Sequence, residues 1–337
     1  MIISQTPCRV SLAGGGTDMP AFIEKNGYGR VVSFTIDKYV YVLVKKRFDN
    51  YIYLKYSDNE IVHKNDIDSI KHDFIRETLK YLNIDFGVEI INWADISTKG
   101  SGIGSSSSFL VGLLHALAIL KGIDVTPLWL ARTANYIEIF LCKKNIGYQD
   151  AFAAAYGGLR DYMWNVVISE TKNLVDNVRD FDYISSNMLL IYTGVTRSSS
   201  SVLDKQSENI RDSNLVFDNM KKNLQYTESL IDSINKKIFY AIGDTMKDCW
   251  ELKKTFSDNI SNAFIDNLIE SCYNNGAGGV KIAGAGGGGY LVIYAKPQYH
   301  ENIIKEVSKH KEGIKAMPFK ITPYGSKIML NTDQNEW

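Results

Sequence analysis

The sequence has no excess of charge of either sign. Its 337 residues include 38 lysines and arginines against 38 aspartates and glutamates, so the formal net charge at pH 7 is zero. No overall field therefore favours nucleic acid or an anionic membrane as a partner, and we expect neither. An anionic ligand would have to be held by a local site.

Cysteine is scarce, and its four occurrences form no metal-binding or redox pattern. Cys8, Cys142, Cys249 and Cys272 include no CxxC pair and have no histidine nearby at ligand spacing. Free thiols in a reducing compartment are the simplest interpretation. The N-terminus lacks a basic segment followed by an apolar one, so no secretory signal is predicted. We expect a cytoplasmic protein.

Long apolar runs are also lacking. The longest, residues 109–120, contains His115 and is too short to cross a bilayer. Hydrophobic residues make up 45% of the chain and charged residues 23%, which is ordinary for a globular protein. The length predicts two domains, which we place at 1–184 and 185–337.

The order of predicted elements indicates an α+β protein. Each half has strands, then helices, then strands, and not the regular alternation of a doubly wound sheet. Alternating apolar residues predict strands at 30–36 and 39–45, and we expect a tight turn at Asp37-Lys38 to join them. Thr126 and Pro127 are typical of the N-cap and first position of a helix.

One stretch combines glycine and serine directly before an apolar helical pattern. Gly100, Gly102 and Gly104 let the backbone turn sharply and approach a ligand. Serines 105–108 then bring hydroxyl and N–H groups to the beginning of the helix, where the dipole also favours an anion. The Gly-Lys-Ser/Thr ending of a P-loop is absent. A flexible linker is the alternative, but a linker is not expected to continue into a buried helix.

We therefore predict a phosphate-binding loop here. Its residues are Lys99, Gly100, Ser101, Gly102, Ile103, Gly104, Ser105, Ser106 and Ser107.

A second glycine run, residues 284–289, matches the GxGxxG pattern of dinucleotide-binding folds. That pattern requires a helix after the loop, whereas residues 290–294 are typical of a strand. Dinucleotide binding is therefore disfavoured. The run either closes a tight hairpin or lets two backbones, or a backbone and a ligand, come close together, and the sequence supports the two interpretations equally.

Two carboxylates stand out from their surroundings. Glu138 is the only charged residue in the apolar segment 134–141, so it either emerges on an exposed face or serves a cation. The pattern alone slightly favours the exposed face. Asp150 begins a helix of small residues, 150–155, where an aspartate is commonly a helix cap.

Taken in order, these motifs resemble those of the GHMP kinases. Residues 7–18 are similar to the family's first, substrate-side motif, residues 102–107 to its phosphate loop, and residues 279–289 to its third motif. The resemblance extends over essentially the whole chain. It implies an N-terminal domain with a left-handed βαβ crossover, a ferredoxin-like C-terminal domain, and ATP and a sugar in the cleft between them.

The resemblance also implies a function. It points to an ATP- and Mg²⁺-dependent kinase for the anomeric hydroxyl of a heptose 7-phosphate. A kinase of an unphosphorylated sugar, such as fucose or galactose, and a catalytically inactive sensor are the alternatives. Joint retention of Arg9, Ser106, Glu138 and Asp150 argues against a sensor, which needs no base.

Site residues follow from the same resemblance, position by position. Ser106 and Glu138 resemble Mg²⁺ ligands, Asp150 the acid/base at the sugar hydroxyl, and Arg9 a residue near the transferring phosphoryl group. The remaining residues expected at the substrate are Gly15, Gly16, Thr17, Asp18, Gly286 and Gly287. Ser97 and Tyr148 depart from the pattern, where the family commonly has proline and heptose kinases often have lysine.

A second serine-rich stretch, 196–201, lies between a predicted strand and a helical segment. It adds an arginine, whose guanidinium can bind phosphate oxygens in bidentate fashion. We predict that Arg197, helped by Ser199, binds a phosphate that the substrate already carries. The alternative is a capping loop with a solvated arginine.

Overall fold

The computed structural model describes residues 1–96, 100–196 and 200–332. Its strands are β1 (Ile2–Ala13), β2 (Tyr28–Lys46), β3 (Tyr51–Lys55), β4 (Asn59–His63), β5 (Val88–Ala94), β6 (Leu159–Asn165), β7 (Ser169–Asn173), β8 (Met188–Tyr192), β9 (Ala277–Ile282), β10 (Tyr290–Ala295), β11 (Lys315–Met317) and β12 (Lys327–Asn331). Its α-helices are α1 (Pro20–Asn26), α2 (Asp73–Tyr81), α3 (Ser105–Leu120), α4 (Pro127–Asn135), α5 (Gln149–Tyr156), α6 (Val178–Ser186), α7 (Ser200–Asp212), α8 (Asn214–Asn235), α9 (Ala241–Lys254), α10 (Ala263–Asn274) and α11 (His300–Ser308).

The first sheet is organised around β1 and β2, which pair antiparallel over most of their length. The order across the sheet is β12-β1-β2-β5-β3-β4, and β6 and β7 extend from the first half of β2. β3 and β5 are parallel and are connected through α2. The chain therefore returns at its end to the first sheet, because β12 pairs with β1. The division at 184/185 stays a prediction.

The predicted turn at Asp37-Lys38 is wrong, because β2 runs through these residues without interruption. Residues 28–34 of β2 pair with β6, and residues 40–46 pair with β5. β1 pairs with both halves, and its register shifts between Pro7 and Cys8. Asp37 and Lys38 are the extra residues at that bulge, and a bulge bends a strand without ending it.

Helix α3 forms the centre of the first half and packs against β1 and β2. Its apolar residues are buried on all sides, as the sequence pattern predicts. Gly112 allows this close packing, because a Cβ there would lie 2.8 Å from the Thr6 hydroxyl. Helix α4 begins as predicted, with the Thr126 hydroxyl accepting a hydrogen bond from the Trp129 N–H at 3.1 Å.

The second sheet contains four antiparallel strands in the order β11-β8-β10-β9. With β8 as the first of the four, this order is 4-1-3-2, which confirms the predicted ferredoxin-like arrangement. Helices α7 to α10 lie between β8 and β9 in the chain, and α11 connects β10 to β11. In the described part of the chain, no helix is both long and apolar enough to cross a membrane.

Candidate active site

A cleft of about 510 Å³ is lined by residues from both halves of the chain. Most of the predicted site residues lie on its wall: Arg9, Gly15, Gly16, Asp18, Gly100, Ser101, Gly102, Gly104, Ser105, Ser106, Ser107, Glu138, Asp150 and Gly286. Residues that are far apart in the sequence are thus brought to one cavity.

Three predicted site residues do not line this cleft. The Thr17 side chain is buried, and its hydroxyl donates to the carbonyls of Gly14 and Arg30. Ile103 places its side chain in the core. The N–H of Gly287 donates to the Ile260 carbonyl at 2.8 Å.

Four positions singled out in the sequence, Ser97, Lys99, Arg197 and Ser199, lie outside the described residues. Their roles stay predictions.

The predicted phosphate loop has the backbone that its glycines predict. Gly100, Gly102 and Gly104 have φ angles of +64°, +74° and +75°, in the region that favours glycine. Gly104 is the N-cap of α3 and has no side chain to cap the helix. The first turn of α3, Ser105–Ser107, lines the cleft, so the positive end of the helix dipole faces the cavity.

The two glycine runs meet backbone to backbone. A Cβ on Gly284 would lie 2.7 Å from the Gly102 carbonyl oxygen, and one on Gly289 would lie 2.6 Å from that of Ser101. The second run also closes the hairpin between β9 and β10. Both interpretations of this run therefore hold. Because a strand and not a helix follows Gly289, the run is not a dinucleotide-binding fingerprint.

Arg9 and Asp150 form a two-point ion pair at the wall of the cleft. Arg9 Nε and Nη2 donate to the two carboxylate oxygens of Asp150 at 2.8 and 2.7 Å. Arg9 Nη1 donates to the Gly102 carbonyl at 2.6 Å, and the Arg9 N–H donates to the Ile103 carbonyl at 2.9 Å. Arg9 is 5% exposed, so the pair is held rigidly against the phosphate loop. Asp150 lies in the first turn of α5, but its carboxylate is committed to Arg9.

Glu138 lies in the turn that follows α4. Residues Tyr136–Leu141 form one widened helical turn, a feature often found at functional sites. The side chain is 4% exposed, so the exposed-face interpretation is wrong. Burial raises the pKa of Glu138 to about 8, against the hydrogen bond from the Ser107 hydroxyl at 2.8 Å. Ser107 and not Ser106 contacts this carboxylate, while Ser106 is exposed on the cleft wall.

Asp18 connects the first motif to the beginning of α5. One carboxylate oxygen accepts from the Gly16 N–H at 2.9 Å, and the other accepts from the backbone and side-chain nitrogens of Gln149, each at 3.1 Å. Burial raises the pKa of Asp18 above its usual range, and the bonds from Gln149 oppose that rise. This network holds Gly15 and Gly16 beside Asp150. Tyr148 lines a different depression, next to Trp164.

The sequence did not single out every residue of the cleft, and Gln206 of α7 and Lys253 of α9 are two that it missed. Both are buried and line the cavity. Lys253 lies three residues after the buried Trp250, on the apolar face of α9. A lysine on the buried face of an amphipathic helix was the available signal.

Comparison with known proteins agrees with this architecture. Residues 70–158 match the model of the GHMP kinases N terminal domain, and residues 230–313 match that of the GHMP kinases C terminal domain. The D-glycero-alpha-D-manno-heptose 7-phosphate kinase of Campylobacter jejuni is 25% identical over 94% of this chain and 98% of its own. The galactokinase of Pyrococcus furiosus is 28% identical over 59% of this chain and 55% of its own.

Solved structures show the same fold. A D-glycero-D-manno-heptose 1-phosphate kinase from Bacteroides thetaiotaomicron has a TM-score of 0.80 at 20% identity, covering 98% of this chain and 99% of that one. Lactococcus lactis galactokinase complexed with galactose has a TM-score of 0.76 at 18% identity, covering 97% of this chain and 94% of that one.

The chain belongs to the GHMP kinase family, as the motifs, the two domain matches and the fold together show. It is accordingly a kinase, an enzyme that transfers a phosphoryl group.

Proposed function

We propose that this kinase uses ATP to phosphorylate the anomeric hydroxyl of D-glycero-D-manno-heptose 7-phosphate, giving the 1,7-bisphosphate. The observation that carries the proposal is the rigid Arg9–Asp150 pair, which lies directly against the predicted phosphate loop in the lining of one cleft. The near full-length similarity to a heptose 7-phosphate kinase supports the choice of acceptor.

Asp150 is the residue suited to take the acceptor proton. As the hydroxyl oxygen bonds to the γ-phosphorus, the bond from that phosphorus to the bridging oxygen breaks, and ADP leaves with the electron pair. The hydroxyl proton passes to Asp150. Arg9 orients that carboxylate by holding both of its oxygens, and Asp18, through Gln149, orients the helix that carries it.

The donor set fits a hard divalent cation such as Mg²⁺. Glu138 is a buried carboxylate whose pKa is raised to about 8, and among the described residues it forms no ion pair. A cation bound there would relieve the cost of burying its charge. Mg²⁺ is usually held by one or two protein oxygens together with substrate phosphates, so Glu138 and Ser106 suffice as ligands. When bound, Mg²⁺ would neutralise charge on the phosphate oxygens.

An unphosphorylated sugar is the main alternative acceptor, because one relative of this chain is named a galactokinase. The deciding experiment measures ADP release over a panel of heptose 7-phosphate, the unphosphorylated heptose, fucose and galactose. We expect the highest kcat/KM for heptose 7-phosphate. A preference for an unphosphorylated sugar would overturn the acceptor assignment, and no ADP release with any sugar, despite ATP binding, would favour the sensor.

Arg197 is proposed as the residue that reads the phosphate at position 7. Charge-assisted hydrogen bonds contribute about 1.5–3 kcal/mol each, so Arg197→Ala should lower kcat/KM for heptose 7-phosphate by roughly ten- to a hundredfold or more. The unphosphorylated heptose should be affected much less. Arg211→Ala, the same change on the exposed end of α7, is the matched control and should leave both substrates unaffected. Equal losses for both acceptors would mean that Arg197 serves the transferred phosphoryl group or the fold.

A further inference from the structure

Lys253 is a buried cation that no predicted motif contains. It lies near the end of α9, is 8% exposed, and forms part of the cleft wall. Its ammonium donates to the carbonyl of Gly284, at the beginning of the second glycine run. Among the described residues it has no carboxylate within ion-pair distance. Because an ammonium has three N–H donors, two remain available toward the cavity.

Arg9, another cation of the cleft wall, differs from Lys253 because most of its donors are already in use. The edge formed by its Nε and Nη2 is occupied by Asp150, and a third donor is held by the Gly102 carbonyl. The charge of Arg9 is thus matched by a carboxylate at contact distance. Arg9 can orient Asp150, but the edge with which a guanidinium clamps a phosphoryl group is already in use.

The Lys253 ammonium points into a polar space that is left open above Gly15. A Cβ on Gly15 would lie 3.6 Å from the Ser11 hydroxyl oxygen, 3.8 Å from Lys253 Nζ and 3.9 Å from Gln149 Nε2. The buried Ser11 hydroxyl has no hydrogen-bond partner within the described chain, and neither has the side-chain carbonyl oxygen of Gln149, which also lines the cleft. Buried polar groups are rarely left unpaired, so the Ser11 hydroxyl beside the Lys253 ammonium indicates a place for a polar ligand.

The charged surroundings of Lys253 come from several elements. Burial, followed by the nearby charge of Arg9 on β1, lowers its pKa to about 8, while Asp18, Asp150 and Cys249 oppose the change. Lys281 of β9 faces it as a second buried cation. Lys281 differs in that it donates to the carbonyls of Ser11 and Leu12 at 3.0 and 3.3 Å and lies outside the cleft lining, so it serves the fold.

We propose that Lys253 is a further catalytic residue, whose ammonium binds an oxygen of the transferred phosphoryl group and stabilises its charge during transfer. This inference rests on the proposed kinase reaction. Arg9 would then orient the base, Asp150, while Lys253 would bind the phosphoryl oxygens. A donor placed where charge develops stabilises the transition state more than the bound substrate.

The first test is Lys253→Met, which removes the charge and keeps most of the side-chain volume. We expect kcat to fall by about 10²–10³-fold, with little change in the KM of the acceptor or in the affinity for ADP. Lys254→Met is the matched control, because this neighbour pairs with Glu251 and lies outside the cleft lining. An unchanged kcat in folded Lys253→Met protein, with the wild type active, would overturn the proposal.

The second test is the pH profile of Lys253→Arg, which keeps a charge that does not titrate below pH 12. If the ammonium must be protonated, the kcat/KM of the wild type falls as the pH rises through about 8. That fall should be absent or displaced upward in the arginine variant, even where its rate is lower. A fall at the same pH in both proteins would overturn the proposal, and this comparison still decides if Lys253→Met fails to fold.

Failure of the reaction itself is recognised separately. If the wild type binds ATP but transfers phosphate to no sugar, the proposed function is wrong, and the proposed catalytic role of Lys253 is wrong with it. If the wild type is active and both Lys253 variants behave like the wild type, the function stands and the role of Lys253 is refuted.

Discussion

Two carboxylates in the lining of the cleft, Asp150 and Glu138, differ in what compensates their charge. Asp150 accepts two hydrogen bonds from Arg9, whereas Glu138 accepts one from the Ser107 hydroxyl. Glu138 is the more deeply buried of the two, because it is buried whereas Asp150 is partly exposed. A carboxylate with a built-in cation is positioned in advance, while one without is a place for a cation from solution.

The difference shows why neither role followed from the residue type. Both residues carry a carboxylate, and both lie on helical segments with small or apolar neighbours. Their partners are 141 and 31 positions away in the chain, so only the packing of β1 and α3 against those helices separates the proposed proton acceptor from the proposed metal ligand. The following variants test that separation.

The largest expected effect is that of Asp150→Asn. Asparagine keeps the shape but cannot take a proton, so kcat should fall by about 10²–10⁴-fold while ADP still binds. Asp161→Asn is a close control, because Asp161 forms the same two-point pair with Arg30 at 2.8 and 2.6 Å away from the cleft. It should lower stability but leave kcat near normal. A near-normal kcat for Asp150→Asn would restrict Asp150 to a structural role.

The second effect concerns the metal requirement. Glu138→Gln removes the charge of the candidate ligand, so the Mg²⁺ concentration for half-maximal rate should rise by roughly 10–100-fold, with turnover reduced and the fold intact. A titration of rate against Mg²⁺ at saturating ATP measures this shift. An unchanged requirement would show that Glu138 does not serve the metal.

The same titration separates the two serines. If Ser106 is the ligand, Ser106→Ala should raise the Mg²⁺ requirement more than Ser107→Ala does. Ser107→Ala should act through the orientation of Glu138, because it removes the 2.8 Å hydrogen bond to that carboxylate. The reverse ranking would move the ligand role from Ser106 to Ser107.

A smaller effect is expected where the first glycine run packs against the residue before the second run. Gly102→Ala would place a Cβ 2.5 Å from the Ala283 carbonyl oxygen, at a φ of +74°. Gly122 has nearly the same φ, +73°, with nothing within 4 Å of such a Cβ. Gly122→Ala should therefore cost only the backbone strain, about 1–2 kcal/mol. Gly102→Ala should cost more and should also lower activity; equal unfolding free energies would refute the close contact.

The smallest effect is one of pH on the metal-free protein. The pKa of Glu138 in the folded protein is raised from 4.5 to about 8. The stability that the protonated side chain contributes to the fold is therefore complete below pH 4.5 and is lost as the pH rises through about 8. With a chelator present at pH 8, Glu138→Gln should melt higher than the wild type, by about 2–4 °C for each kcal/mol recovered. The two melting temperatures should converge at pH 4.5, and a constant difference would contradict the burial of a charged Glu138.

Several parts of the fold were accessible from local pattern. The apolar helix α3, the Thr126 cap and the strand after Gly289 follow from spacing and residue type, and the structure confirms each. The predicted turn at Asp37-Lys38 is wrong, because polar residues in a strand look the same whether the chain reverses or bulges. Strands β6, β7 and β12 were not predicted, since their amphipathic or exposed residues give a weak signal.

The sequence by itself determined the two glycine runs, the helix that makes one of them a predicted anion site and the strand that excludes a dinucleotide site at the other. These are properties of neighbouring residues, set by backbone freedom and by period. Tertiary structure alone decided that the two runs touch, that Arg9 holds Asp150, and that Lys253 reaches the same cavity. The first two contacts join residues more than 100 positions apart, and the chemistry of all three features depends on burial and distance, which a linear pattern does not contain.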